Sequence, residues 1–137
     1  MYKTAIRAGA IIALIAVILG AFAAHILKGK LSPDQFSVFS TGIRFHFYHA
    51  FGLLITGILY RFYPYRSLKI ATYFFIVGVI LFCGSLYLMT TLSCIANIIG
   101  IHGFRIGLIG VITPIGGLCL VLGWVCVIVG ISKTEVA

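Results

Sequence analysis

Polar side chains along this chain come at intervals, and long apolar runs separate them. Between Arg7 and Lys28 the run is uncharged, interrupted only by His25. A helix of about 20 apolar residues crosses a hydrocarbon core of about 30 Å, so the stretch predicts a first transmembrane helix over about 5–27. Lys3 and Arg7, the apolar run and Ala21-Phe22-Ala23 also fit a secretory signal with a small-residue cleavage site; the membrane helix is the expectation carried forward. Ser32-Pro33-Asp34-Gln35 then reads as a helix start: Ser32 caps, Pro33 suits the first helical position, Asp34 favours the dipole, and Gln35 closes a capping box. Phe36, Val38, Phe39 and Ile43 make the next stretch amphipathic, which predicts a short interfacial helix between the first two spans.

A second span is predicted over about 44–62, with Arg44 and Arg61 at its ends and an aromatic belt of Tyr60, Phe62, Tyr63 and Tyr65. A third starts at Lys69. From Ile70 to Ile101 no acid, base or histidine occurs, and 32 residues of helix would reach about 48 Å. That exceeds the hydrocarbon core, so the span is predicted to end near residue 90, at Thr90-Thr91-Leu92-Ser93, with 92–101 a surface or re-entrant loop holding Asn97. The fourth span, about 105–131, carries Pro114, which predicts a kink or break, and Gly116-Gly117 reads as part of that break.

Composition agrees with the pattern. The chain is 62% hydrophobic and 9% charged, with a mean hydropathy of +1.22, whereas soluble domains carry about 25% charged residues. Continuous apolar runs exclude the alternation of a β-barrel. The fold class expected is all-α: one polytopic membrane domain, 1–137, of four transmembrane helices with the interfacial helix between the first two.

Ten Lys/Arg against Asp34 and Glu135 give a net charge of +8. The bases sit at the ends of the apolar runs, where they reach lipid phosphates, so the charge points to the bilayer and not to nucleic acid. Lys3, Arg7, Arg61, Arg66, Lys69 and Lys133 collect on the side of the termini, and Lys28, Lys30, Arg44 and Arg105 on the other, which predicts cytoplasmic termini. With neither acid inside a run, paired-carboxylate catalysis and carboxylate metal sites are disfavoured.

Cys83, Cys94, Cys119 and Cys126 form no C-x-x-C and read as small apolar fillers; a Cys83–Cys94 disulfide is conceivable if both reach the outer surface. Small residues recur at packing intervals: Gly9, Ala13, Ala16, Gly20 and Ala23; Ala71, Gly78 and Ser85; Gly116, Gly123 and Gly130. Such stripes let helix backbones approach closely in lipid.

Threading four spans brings His25, His46, His49, Ser85, Tyr87, Thr113 and Pro114 to one side, read as a polar corner at the outer leaflet, with His102 and Arg105 in the adjoining loop. Ionisable groups inside spans mark functional sites by default. His46 and His49 are three apart and share a face with Leu53, Thr56 and Tyr60. They are candidate metal or haem ligands, with His25 as a third; the alternatives are hydrogen bonds to Ser85, Tyr87, Thr113 or carbonyls near Pro114, and a lipid or small polar ligand. His25 lies nearly opposite the small stripe of its own helix, which works against its joining. His49 is expected innermost, His46 and His25 at the mouth, and His102 at the periphery. No nucleophile elbow, phosphate loop or dinucleotide fingerprint is present.

Gly20-Ala-Phe-Ala-Ala-His25, Tyr48-His49-Ala50, Phe82-Cys-Gly-Ser85-Leu-Tyr87, Ile112-Thr113-Pro114-Ile-Gly116-Gly117 and Gly123-Trp124 run through all four predicted spans in order. In these pieces the chain resembles the YgdD-like family of small bacterial inner-membrane proteins, domain of unknown function family 423. This chain has Ala23 or Ala24 where the family pattern has Gly, and Cys83 where it has Ser. The resemblance implies four helices and a bacterial inner-membrane location, and brings no activity. The function expected is a non-catalytic accessory or assembly protein, working as a homo-oligomer or within a larger membrane complex. A metal- or haem-binding protein using His46 and His49 and an oligomeric channel or small transporter are the alternatives.

Overall fold

In the computed structural model, residues 1–99 and 107–132 are described. The chain forms α1 (Lys3–Phe22), a π-helical turn (Ala23–Leu27), α2 (Pro33–Leu59), α3 (Arg66–Ile98) and α4 (Gly107–Ile131). Among the described residues three helices are long and apolar enough to cross a membrane: Lys3–Leu27, Arg66–Ala96 and Ile109–Ile131. α2 has the length, 27 residues or about 40 Å, but more polar positions.

Local chemistry explains most boundaries. α1 widens into the π turn, where Lys28 N–H donates to the Ala23 carbonyl at 2.9 Å, five residues back. Gly29 then turns the chain at φ +103°, a region that L side chains rarely adopt. The Ser32 capping box forms as expected, with Gln35 N–H donating to Ser32 Oγ at 3.3 Å and Ser32 N–H to Gln35 Oε1 at 3.0 Å.

Three local expectations are corrected. The interfacial helix and the second span are one unbroken α2, since no residue between Phe36 and Leu59 interrupts it and Thr41 returns its hydroxyl to the Ser37 carbonyl at 2.9 Å. α3 does not stop at Thr90-Thr91-Leu92-Ser93. There the hydroxyls of Thr90, Thr91 and Ser93 bond to the carbonyls of Leu86, Tyr87 and Met89 at 2.8 Å each, so polar side chains are satisfied within the helix and it continues to Ile98. α4 runs through Pro114 and through Gly116-Gly117 without a break. Gly116 is a packing position: a Cβ there would collide with the backbone of Phe82 on α3.

The helices pack in sequence as a row. α1 lies on α2, α2 on α3 and α3 on α4; α1 touches α3 and α2 touches α4 only marginally, and among the described residues α1 does not meet α4. The α3–α4 seam follows the predicted seven-residue repeats. Gly116 meets Phe82, Gly123 meets Phe75 and Gly130 meets Leu68, so each seven-residue step up α4 is a seven-residue step down α3. Gly78 against Leu120 keeps the same register. The α1 stripe faces α2: a Cβ on Gly9 would lie 2.8 Å from the Ala50 carbonyl oxygen. Phe75, Leu53, Leu68 and Cys83 are the large fully buried side chains of the shared core. All four cysteines are free. Cys83 and Cys94 stand on one continuous α3, eleven residues or about 16 Å apart, which removes the disulfide.

Candidate functional site

α2 positions the two histidines. His46 and His49 lie 13 and 16 residues beyond Pro33 in a 27-residue helix, so they stand near its middle and not at its start. The outer corner expected from sequence is thereby a mid-helix cluster, a consequence of α2 beginning earlier than predicted. Both rings are buried, 6% and 5% exposed.

Their surroundings differ. His49 Nδ1 lies 2.7 Å from the Phe45 carbonyl, and Trp124 Nε1–H donates to His49 Nε2 at 3.3 Å. A carbonyl only accepts and an indole only donates, so His49 is the neutral tautomer protonated at Nδ1 with both nitrogens engaged. Its ring also packs on Phe75, with centroids 5.6 Å apart. His46 Nδ1 meets the Tyr87 hydroxyl at 3.2 Å, and its Nε2 is buried with no hydrogen-bond partner. Tyr87 is held by Phe39, ring centroids 4.8 Å apart, and by Gly42, where a Cβ would lie 2.7 Å from the Tyr87 ring.

Ser85 and Thr113 join α3 to α4 through a 2.7 Å hydroxyl–hydroxyl bond, and Ser85 also donates to the Phe82 carbonyl at 2.8 Å. The structure thus brings His46 to Tyr87, and Ser85 to Thr113, while His49 turns to Trp124. His25 is exposed in the π turn and Pro114 is exposed on α4. His102 and Arg105 lie outside the described residues. Among the described residues no group of three His, Cys, Asp or Glu is placed to hold a metal ion. The candidate ligands His25, His46 and His49 therefore do not converge: His25 stands on the exposed end of the first helix and His49 has no nitrogen lone pair free.

Sequence reasoning missed Trp124, Phe45 and Gly42 as partners. Trp124 is the chain's one tryptophan, an N–H donor in an apolar run that needs an acceptor. Gly42 lies four residues before His46, on its helix face.

Two hollows flank α2. One, of about 500 Å³, lies between α1 and α3 and is lined by Ile12, Ile15, His46, Cys83, Gly84 and Tyr87 among others. The other, of about 380 Å³, lies between α2 and α4 and is lined by Phe45, His49, Gly117 and Trp124 among others.

The family described as "Protein of unknown function (DUF423)" matches residues 19–117. The chain belongs to the DUF423 family. It is 36% identical to the UPF0382 membrane protein YwdK of Bacillus subtilis over 132 residues, covering 96% of this chain and 98% of the relative. It is 34% identical to the UPF0382 membrane proteins SH2409 of Staphylococcus haemolyticus and SAB0533 of Staphylococcus aureus, each over 133 residues, 96% of this chain and 97% of the relative. No solved structure matches. The chain is a helical membrane protein of an uncharacterised family, and the DUF423 match spans His46, His49, Ser85, Tyr87 and Thr113 but ends before Trp124.

Proposed function

We propose that this DUF423 protein is a non-catalytic accessory or assembly protein of the bacterial inner membrane, crossing it four times with both termini in the cytoplasm. The observation that carries this reading is the use made of the interior polar groups. His49 ties α2 to α4 through Trp124, His46 ties α2 to α3 through Tyr87, and Ser85 ties α3 to α4 through Thr113. These groups join helices to one another, and no acid accompanies them. Such bonds hold helices in lipid, where association lacks a hydrophobic drive.

The row of helices supports the accessory role. Its outer members present broad apolar faces, such as Ile11, Leu14 and Ile18 on α1 and Leu118, Val121 and Val125 on α4, which fit lipid, a second copy or another membrane subunit. α2 supplies the fourth crossing on this reading, with His46, His49 and Thr56 buried against its neighbours. The metal or haem alternative draws no support from His49, whose nitrogens are both engaged, and a channel would require several copies because the described helices, packed as one row, do not close on themselves.

Cysteine-accessibility mapping of residues added at both termini and at Lys30 tests the topology: modification of Lys30→Cys from the periplasm and of both termini from the cytoplasm is expected, and the reverse pattern overturns it. Native mass spectrometry from lipid nanodiscs tests the accessory role. Assemblies larger than one chain are expected; a strict monomer at the protein's cellular level contradicts it.

A further inference from the structure

The charges of this chain are answered unevenly. Among the described residues Asp34 is the one acid, and it stands at the start of α2. Tyr60, at the other end of α2, is 26 residues away, or about 39 Å along the helix. That far end is where the bases gather. Tyr2 N–H donates to the Gly57 carbonyl at 2.9 Å, which sets the start of α1, with Lys3 and Arg7, beside the end of α2. Lys69 Nζ lies over the Tyr2 and Tyr60 rings, which brings the start of α3, with Arg66, to the same place. Four cations from two helices therefore meet no carboxylate among the described residues.

Lys69 is positioned there without being neutralised. Its Nζ is 5.9 Å from the Tyr2 ring centroid and 5.3 Å from that of Tyr60, and the two rings are 5.5 Å apart. An aromatic face attracts an ammonium through its quadrupole but supplies no counter-charge. The ammonium keeps its donors for an anion.

The hollow between α1 and α3 opens below this cluster. Its walls include Ala8, Ile11 and Ile15 on α1 and Ile76 and Ile80 on α3, around a volume of about 500 Å³. Lys69 lies seven residues before Ile76, two turns or about 10 Å up one face of α3. Arg7 lies four residues before Ile11, one turn up α1. Each wall thus carries a cation at its head. Cys83 lines the hollow 14 residues from Lys69, or about 21 Å, which is more than half of a hydrocarbon core of about 30 Å. A chain descending from the head of the groove through one leaflet meets Ile11, Ile76 and Ile80 first.

A phosphate at the head and a hydrocarbon chain below are the two parts of a phospholipid. Charge selects its kind. The ammonium of a zwitterionic headgroup would face Lys69, Arg66, Lys3 and Arg7 with no acid to meet it, whereas an anionic headgroup adds no positive charge. We infer that Lys69 and Arg7 hold the phosphate of an anionic phospholipid whose acyl chain lies in the α1–α3 groove. The site rests on the membrane-crossing reading above; its binding is read in micelles, independently of the accessibility mapping.

The experiment uses the full chain in dodecyl maltoside micelles, titrated with dioleoylphosphatidylglycerol or dioleoylphosphatidylethanolamine, with bound lipid counted by native mass spectrometry. Wild type is expected to hold one phosphatidylglycerol per chain, at least tenfold more tightly than the zwitterionic lipid. Lys69→Gln combined with Arg7→Gln should lower that affinity by about tenfold or more. Lys28→Gln combined with Lys30→Gln removes the same charge from the other end of the helices and should change it less than twofold. All four side chains are exposed, and circular dichroism with the melting temperature establishes that both double variants fold. Glycerol 1-phosphate, which has the anion but no chain, should leave the lipid bound. Phosphatidylglycerol carrying a diazirine in one acyl chain should crosslink to Ile11 and Ile76 in preference to Leu118 and Val121 on α4. Equal affinity for the two lipids, equal losses in the two double variants, release by glycerol 1-phosphate at equal concentration, or crosslinks spread evenly over α1, α3 and α4 each overturns the inference.

Discussion

His46 and His49 stand one helical turn apart, yet the two sides of α2 treat them oppositely. On the α4 side His49 is enclosed by Phe45, Phe75 and Trp124, and each nitrogen has a partner. On the α1–α3 side His46 has one partner and one buried nitrogen without any, at the edge of a groove. A spacing of three residues puts two side chains on neighbouring faces; which helix covers each face then decides which partners the group meets. The α3–α4 seam is close contact at Gly78, Gly116, Gly123 and Gly130, whereas α1 and α3 leave a gap between them.

The seam and the groove should respond very differently to added volume. Gly116→Ala drives a Cβ into the Phe82 backbone, where no side chain can move aside. A loss of about 3 kcal/mol or more is expected, at the upper end of overpacking costs, read as a lower midpoint in reversible unfolding from micelles. Gly84→Ala, on the groove side of α3, should instead be neutral or stabilising by up to about 1 kcal/mol, because only helix propensity changes. If both substitutions destabilise equally, the seam and the groove are not distinct.

Next in size is His49→Leu. It removes the acceptor for Trp124 Nε1–H and should cost about 2 kcal/mol. With a single tryptophan in the chain, intrinsic fluorescence reports the change directly, and an unaltered emission maximum would show that the bond does not form. Gly42→Ala should displace Tyr87 from His46 and cost about 1–2 kcal/mol, and pairing it with Tyr87→Leu should recover much of that loss in the same unfolding assay. The smallest effect belongs to the Ser85–Thr113 bond, where a double-mutant cycle with Ser85→Ala and Thr113→Val should give a coupling of about 0.6 kcal/mol, the average for such bonds in membrane helices.

Much of this arrangement is legible in the residues themselves. Charge-free runs predict the apolar helices, Ser32 to Gln35 predict the start of α2, and the repeats of Gly116, Gly123 and Gly130 predict a close seam. Their causes are local: capping, propensity and periodicity act within a few residues. The errors also have a common source. Thr90, Thr91 and Ser93 resemble a helix end because hydroxyls compete for backbone bonds, but in α3 they bond to carbonyls of the preceding turn and leave the ladder intact. Pro114 and Gly116 resemble a break because both are poor helix formers, and packing against Phe82 overrides propensity.

Residue order alone therefore sets the solvent and the elements: lipid around apolar helices, and polar groups confined to a few positions along them. Which polar group meets which is settled by tertiary packing. His49 pairs with a tryptophan 75 residues away and His46 with a tyrosine 41 residues away, and no local pattern carries that information. Along the chain the residues rank His49 as innermost and His46 and His25 at the mouth, but they do not name a partner for any of them; the order of helix packing does, because hydrogen-bond partners are assigned by proximity in space and not by spacing in sequence.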